Sequence, residues 1–577
     1  MKRKTVAFIF CAVMAVVAQV IFMQAGAQTE AANPKAEVIF NHGNIYTGLR
    51  GSSSFGEMQR AEAIAVRGDR IIAVGTDREI GAFKGPQTKV IDLQGHFTMP
   101  GFNDAHVHLS EAGFERLTVN LVGVKTLDEF RQRIKARVDA TPPGEWIRGD
   151  GWDETLWAVK NTPTRWDVDE VSGDHPVYLD RVDGHIAVAN TKALKLAGIT
   201  VATKDPAGGK IDRDDSGSPT GILRESAKAA VVAVIPQPTH EQRWKALETA
   251  LTDAAQWGIT SAHDNSRWED FQVYEEMEKG GKLPIRVWEW LPFNASVDEL
   301  KDMRGSHPQA DLMLHTGMLK GFMDGSLGSH TAALLEPYSD DPKNSGLPQY
   351  EVAKLNDMAK ERADAGFQLG FHAIGDKGVQ MALNAFAEAE KDAREHKVKA
   401  PDGGENFRMR IEHAQVTTPE EIDRFKTLKV VASMQPNHLL TDMNWAEARI
   451  GPKRAATSYA WKEFLDKGVT LAFGTDYPVE PITPFRGLYA AVTRTSEDGK
   501  KHYFPEKRLT IEQAIAAYTT GSAFAQFAEK DKGTLKPGML ADFVVLDRDI
   551  TAVVPSKLLQ TRVLRTVVGG KTVYEAN

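Results

Sequence analysis

Eight short apolar runs recur along the middle of the chain, and this alternation constrains the fold more than any other feature. They lie at residues 96–106, 258–263, 285–291, 318–323, 367–372, 408–413, 430–435 and 470–476. Helical patterns stand between several of them, for example at 239–257 and 379–393. Thr510-Ile-Glu-Gln513 opens a later helix with a capping-box pattern. Short strands alternating with helices indicate βα units and a parallel sheet. Eight such units predict an α/β architecture, a distorted (β/α)8 TIM barrel over residues 96–532. Residues 110–238 interrupt it between the first and second strands, far beyond an ordinary βα loop. They are expected to form an inserted subdomain roofing the barrel mouth, because insertions after barrel strands emerge at the catalytic face. A separate domain beside the barrel is the alternative.

The two ends are of another kind. Residues 36–40, 42–46, 62–66 and 70–74 have strand character, with Arg67-Gly68-Asp69 as a hairpin turn. Residues 542–546, 562–568 and 571–574 repeat the pattern around Gly569-Gly570. One small composite β-sandwich, built from 36–95 and 533–577, accounts for both ends. Two unrelated edge hairpins would look the same in sequence.

Met1-Lys2-Arg3-Lys4, the apolar run 6–23 and Ala25-Gly26-Ala27 predict a secretory signal peptide over residues 1–27. An uncleaved anchor helix is the alternative. The single cysteine, Cys11, falls inside this leader. The mature chain is then thiol-free, with no disulfide, and any metal site must use imidazole and oxygen ligands. The 70 basic and 78 acidic residues give a net −8, and losing the leader's three bases makes it −11. That balance offers no electrostatic reason for nucleic-acid binding. No later stretch is long and apolar enough to span a bilayer. An exported periplasmic or secreted protein acting on a small molecule is expected, without membrane attachment after cleavage. A homodimer is one open state.

The histidines and acids fall at telling places. His106 and His108 close the first run two residues apart, on one face of a strand. His372, His413 and Asp476 end the fifth, sixth and eighth runs. All stand at C-terminal strand ends, where barrel active sites are built. Together they make a divalent metal site, zinc being the first candidate. Lys320 lies within the apolar fourth run. Buried and neutral, it can take up CO₂ as a bridging carbamate; an ion pair with Asp324 or Glu412 is equally compatible.

Pro100-Gly-Phe-Asn-Asp-Ala-His106-Val-His108, Lys320-Gly-Phe-Met-Asp-Gly-Ser326, Gly370-Phe-His372-Ala-Ile-Gly-Asp376, Arg410-Ile-Glu-His413-Ala-Gln415 and Phe473-Gly-Thr-Asp476 resemble the amidohydrolase superfamily. Within it they are most similar to the YtcJ-like branch that includes N-substituted formamide deformylases. The resemblance covers essentially the whole mature chain. It implies His106, His108 and Asp476 on one metal, His372 and His413 on another, and carboxylated Lys320 between them. His330 stands where relatives often carry Arg, which bears on a substrate-side contact. The chemistry implied is hydrolysis of a C–N bond in an amide, formamide, carbamate or cyclic ureide. A metal-bound hydroxide would attack, with Asp476 as proton shuttle. His185 is a candidate donor to the substrate carbonyl. Trp152, Asp153, Asp183, Arg224, Asp324 and His330 are candidate substrate contacts, His263 a candidate supporting residue, and His307 a surface residue. Two rival functions remain: a mononuclear aminohydrolase acting on a ring C–NH₂, and an exported binding protein on an inactive barrel.

Overall fold

Ten strands from the two chain ends flank a central barrel in the computed structural model, which describes residues 34–50, 58–182 and 184–576. The expected leader and Asp183 lie outside the described residues. Ahead of the barrel come β1 (Val38–Asn41), β2 (Asn44–Arg50), β3 (Met58–Ala61), β4 (Ala63–Arg67), β5 (Arg70–Gly75), β6 (Lys89–Asp92) and β7 (Phe97–Pro100). The first barrel strand is β8 (Phe102–Val107). The insertion carries β9 (Val119–Asn120), β10 (Ile147–Trp152), β11 (Val177–Arg181), β12 (Ile186–Ala189), β13 (Gly209–Arg213) and β14 (Pro219–Glu225). The barrel resumes with β15 (Ile259–Asp264), β16 (Arg286–Pro292), β17 (Leu314–Phe322), β18 (Leu369–Ala373), β19 (Arg410–His413), β20 (Val431–Met434) and β21 (Leu471–Phe473). The chain ends in β22 (Phe543–Leu546), β23 (Val563–Val568) and β24 (Lys571–Glu575).

The barrel strands are parallel and ordered β21-β20-β19-β18-β17-β16-β15-β8. The ring closes where Val107 pairs with Tyr477. Across that seam the Asp476 N–H donates to His106 O at 2.7 Å and the His108 N–H to Tyr477 O at 2.8 Å. Buried Asp104 reinforces it, accepting from the Thr475 N–H (2.9 Å) and hydroxyl (2.6 Å). Closure therefore sets His106, His108 and Asp476 side by side before any metal is considered.

One boundary differs from the sequence expectation. Residues 96–106 are two strands: β7 pairs with β2 and β22, while β8 pairs with β15. The change of sheet occurs at Gly101, where a Cβ would lie 2.2 Å from Thr260 Cγ2. The terminal strands form two sheets, β5-β4-β1-β6 and β24-β23-β22-β7-β2-β3. Phe40, Ile64 and Val66 from one pack with Ile45, Phe543 and Val567 from the other, so the two chain ends share one sandwich core. Its first-half and second-half strands meet at β7–β22.

The insertion is a six-stranded sheet, β13-β14-β12-β11-β10-β9, with apolar clusters of its own around Trp152 and Leu223. It leaves through the helix Leu109–Arg116 after β8 and returns through His240–Gln256 before β15. These two helices pack closely, a Cβ on Gly113 meeting Ala246 O at 2.0 Å. Thr239 caps the second helix with the reciprocal Gln242 bonds of a capping box. Among the described residues no helix is long and apolar enough to cross a membrane.

Candidate metal centre

The strand period turns the C-terminal residues of β8, β17, β18 and β19 into the barrel, and the turn after β21 adds Asp476. His106 and His413 are buried with Asp476, and their ligand atoms lie within 4.8 Å of one another. Asp476 Oδ1 is 3.2 Å from His108 Nε2 and 3.5 Å from His106 Nε2, and Oδ2 is 3.9 Å from His413 Nδ1. The His372 and His413 rings sit 4.5 Å apart, and His106 and His413 rings 4.9 Å apart. Lys320 Nζ reaches His106 Nε2 at 3.1 Å. All six residues expected to hold metal thus converge at one point. Two hold strained backbones: His413 has φ +75° and Asp476 φ +59°. Left-handed non-glycine residues cost about 1–3 kcal/mol each and gather at functional sites.

The support beneath is centred on β19. Glu412 Oε2 accepts from His106 Nδ1 at 2.7 Å, and its carboxylate also takes Arg410 Nε (2.6 Å) and the Ser433 hydroxyl (2.7 Å). That bond puts the His106 proton on Nδ1 and leaves the Nε2 lone pair facing the centre. Arg410 continues down to His263 Nδ1 at 2.9 Å. His263 therefore acts on the centre only through Arg410 and Glu412.

Electrostatics favours metal-ligating forms. Burial lowers His372 to about 4 and holds His106 and His413 well below the ordinary imidazole value. These rings are neutral at pH 7, the form that binds metal. Burial opposes charge on Asp476, yet the surrounding imidazoles of His106, His108, His438 and His413 hold its carboxyl well below the usual range. His413 Nδ1 is a buried nitrogen without a hydrogen-bond partner, as a lone pair reserved for a metal would be. Donor set and orphaned nitrogen both fit a divalent ion. Burial lowers Lys320 to about 8. Neither Asp324 nor Glu412 forms an ion pair with it among the described residues, because both carboxylates are engaged elsewhere.

A cavity of about 340 Å³ opens above the centre. Phe322, Leu327, Ile374, Trp445 and Val479 give it an apolar lining, with Gln415, His438 and Asp442 as polar points. His438 is the residue that sequence reasoning missed. Its Nε2 lies 3.1 Å from Asp476 Oδ2. Burial works against its charge, but Asp476, Asp442 and Glu480 raise it to about 9. The signal was Gln435-Pro-Asn-His438 directly after β20, with Asp442 four residues on along the same helical turn.

Several expected substrate contacts are corrected by their surroundings. Trp152 is buried in the insertion's core, its Nε1–H donating to Leu179 O at 3.0 Å. Asp153 pairs with Arg181 and caps the turn at Glu154–Leu156. Arg224 forks onto Asp212, and His185 is a mostly exposed partner of Glu225. None of the four borders the cavity. Asp324 does not border the cavity either: it accepts the N–H groups of Ala333, Ile374 and Gly375 at 2.8–3.0 Å and clasps the loop after β17 to β18. His330 is bonded to Asp340 at 3.0 Å and braces that same loop.

A family model described as "Amidohydrolase family" matches residues 89–574. The protein YtcJ of Bacillus subtilis (strain 168) is 34% identical over 549 residues, spanning 93% of this chain and 99% of YtcJ. An N-substituted formamide deformylase of Arthrobacter pascens is 27% identical over 532 residues, 89% of this chain and 95% of the enzyme. The crystal structure of an uncharacterized metal-dependent hydrolase from Pyrococcus furiosus superposes with a TM-score of 0.72 at 31% identity, covering 89% and 99% of the two chains.

Proposed function

The chain belongs to the amidohydrolase family, and from that premise we propose that it hydrolyses a C–N bond in an amide, formamide, carbamate or cyclic ureide. The observation that carries this reading is the convergence of neutral His106, His372 and His413 on ionised Asp476, beneath the cavity. The formamide deformylase among its relatives supports an N-substituted formamide as first substrate to try, and the apolar rim of Phe322 and Val479 suits an apolar amine portion.

His106, His108, Lys320, His372, His413 and Asp476 would hold the metal, zinc by donor type. When bound, such an ion supplies Lewis acidity and a water of lowered pKa. Asp476 then accepts the proton of the attacking water as the C–O bond forms. The C–N bond breaks and Asp476 returns the proton to the departing amine nitrogen. His438, bonded to the other Asp476 oxygen, keeps that carboxylate turned to the cavity. Lys320 reacts through its free amine with CO₂, forming an N–C bond and releasing one proton. With burial lowering it to about 8, on the order of a tenth of it is neutral at pH 7.

Asp476→Asn tests the assignment. Zinc content should stay near that of the parent, while hydrolysis across N-formyl amines, N-acyl amino acids and dihydropyrimidines falls at least a hundredfold. Activity within tenfold of the parent removes Asp476 as the proton shuttle. In zinc- and bicarbonate-loaded protein, Lys320→Ala should lose one metal equivalent and its carbamate carbon-13 signal; unchanged metal content would favour a mononuclear centre. The leader is proposed to direct export to the periplasm or beyond, with Gln28 as the first residue of the mature protein. Terminal sequencing of the exported chain checks this, and an intact Met1 refutes it.

A further inference from the structure

His307 is not the surface residue that its sequence context suggests. It is 7% exposed, and its ring stands edge-on to Phe271 with centroids 5.6 Å apart. Its Nδ1 meets Glu275 Oε1 at 2.9 Å, which places the proton on Nδ1 and the lone pair on Nε2. That Nε2 is buried and has no hydrogen-bond partner. It faces Glu278 Oε2 and Asp311 Oδ2, each 3.7 Å away and beyond hydrogen-bond reach. Asp311 is fixed in this pose because its other oxygen accepts the Met313 N–H at 2.7 Å. Burial and the Asp311 carboxylate both push Glu278 above the usual carboxylate range, so the two acids crowd one space.

A lone pair and two carboxylates aimed at a common point repel one another. At 3.7 Å neither acid is hydrogen-bonded to Nε2, which is left without a partner. A metal bonded at about 2.0–2.2 Å to each atom spans ligand separations of about 3.3–3.6 Å, close to those seen. We propose that Glu278, His307 and Asp311 form a second divalent-metal site, structural in role and separate from the centre at the barrel mouth. One imidazole nitrogen with two carboxylates suits zinc or another first-row transition ion, since calcium and magnesium take oxygen ligands. The ion would tie the helix Trp268–Lys279, which follows β15, to the turn that launches β17, the strand carrying Lys320. A third His-acid group, Asp364, Asp392 and His396, lacks this character, because His396 is exposed and already bonded to Asp364 at 2.6 Å.

The full chain, stripped of metal, reloaded with zinc chloride and desalted, is assayed for bound zinc by mass spectrometry beside His307→Ala and Glu278→Gln. Each variant is expected to hold one zinc equivalent fewer than the parent. Equal zinc in all three overturns the proposal. His307→Ala can fail to fold, so zinc-soaked crystals of the parent give an independent reading. An anomalous peak at the zinc edge within bonding distance of His307 Nε2 is expected, and the lack of one also overturns it.

Discussion

Glu412 is the residue on which the centre's geometry turns, although it faces no substrate. Its carboxylate joins His106 to Arg410 and Ser433 in a fully buried network. Glu412→Gln keeps the shape but removes the charge that balances Arg410 and fixes the His106 tautomer. Loss of such a support lowers metal affinity about 10–100-fold, and zinc titration of the metal-free variant should find that loss. An affinity within twofold of the parent would show that His106 holds its orientation without Glu412. The histidine and aspartate ligands were legible in sequence because they stand at the ends of apolar runs, a position that physics reserves for the catalytic face of a barrel, and Lys320 because it interrupts one. The support was less so. Glu412 sits in the Arg410–His413 motif, but nothing in residue order says that its carboxylate crosses the barrel to β8. His438 escaped for the opposite reason, lying four residues past the end of β20 on a turn with no apolar run of its own.

At the level of elements, the eight barrel strands follow the apolar runs closely, and the misplaced boundary is instructive. Residues 97–107 are buried throughout, polar and apolar side chains alike, because both of their sheets are covered, so periodicity carries no mark of the break. Only Gly101 marks it. A Cβ there would stand 2.2–2.8 Å from Thr260, whose side chain is buried in the neighbouring strand. Gly101→Ala should therefore destabilise by about 1–3 kcal/mol, the usual cost of overpacking. Gly81→Ala makes the control: nothing lies within 4 Å of its added Cβ, and the change should be neutral or stabilising by up to about 1 kcal/mol. Thermal or urea unfolding of the two variants side by side decides it, and equal midpoints would remove the close-approach argument. Three of the insertion's candidate contacts are engaged within the insertion itself. Turn-like contexts around Trp152, Asp153 and Arg224 looked available to a ligand, but they serve the insertion's own sheet through Leu179, Arg181 and Asp212.

Across the whole molecule, a domain drawn from both termini must be held to the barrel, and buried polar bonds add to the apolar contact between them. Arg286 of β16 and Asp542, just before β22, form a buried two-point ion pair at 2.6 and 3.0 Å. Arg286 also donates to Leu312 O at 2.9 Å, while Asp542 Oδ1 accepts the Gly569 N–H at 2.8 Å. Nearby, the Thr566 hydroxyl donates to Ala255 O at 2.7 Å. Barrel and sandwich are thus joined by bonds that water does not compete for. Removing one partner leaves a charge with no compensation, and Asp542→Ala should cost about 3–5 kcal/mol. Replacing both by apolar residues of similar volume removes the stranded charge as well as the bond. Arg286→Met with Asp542→Leu should then recover most of that loss, short of about 1 kcal/mol for the Gly569 N–H left without its acceptor. Urea unfolding of the parent, the single variant and the double variant measures the coupling. A double variant no more stable than Asp542→Ala would mean that the pair holds the domains by its geometry, and that the cost is not one of an unpaired buried charge.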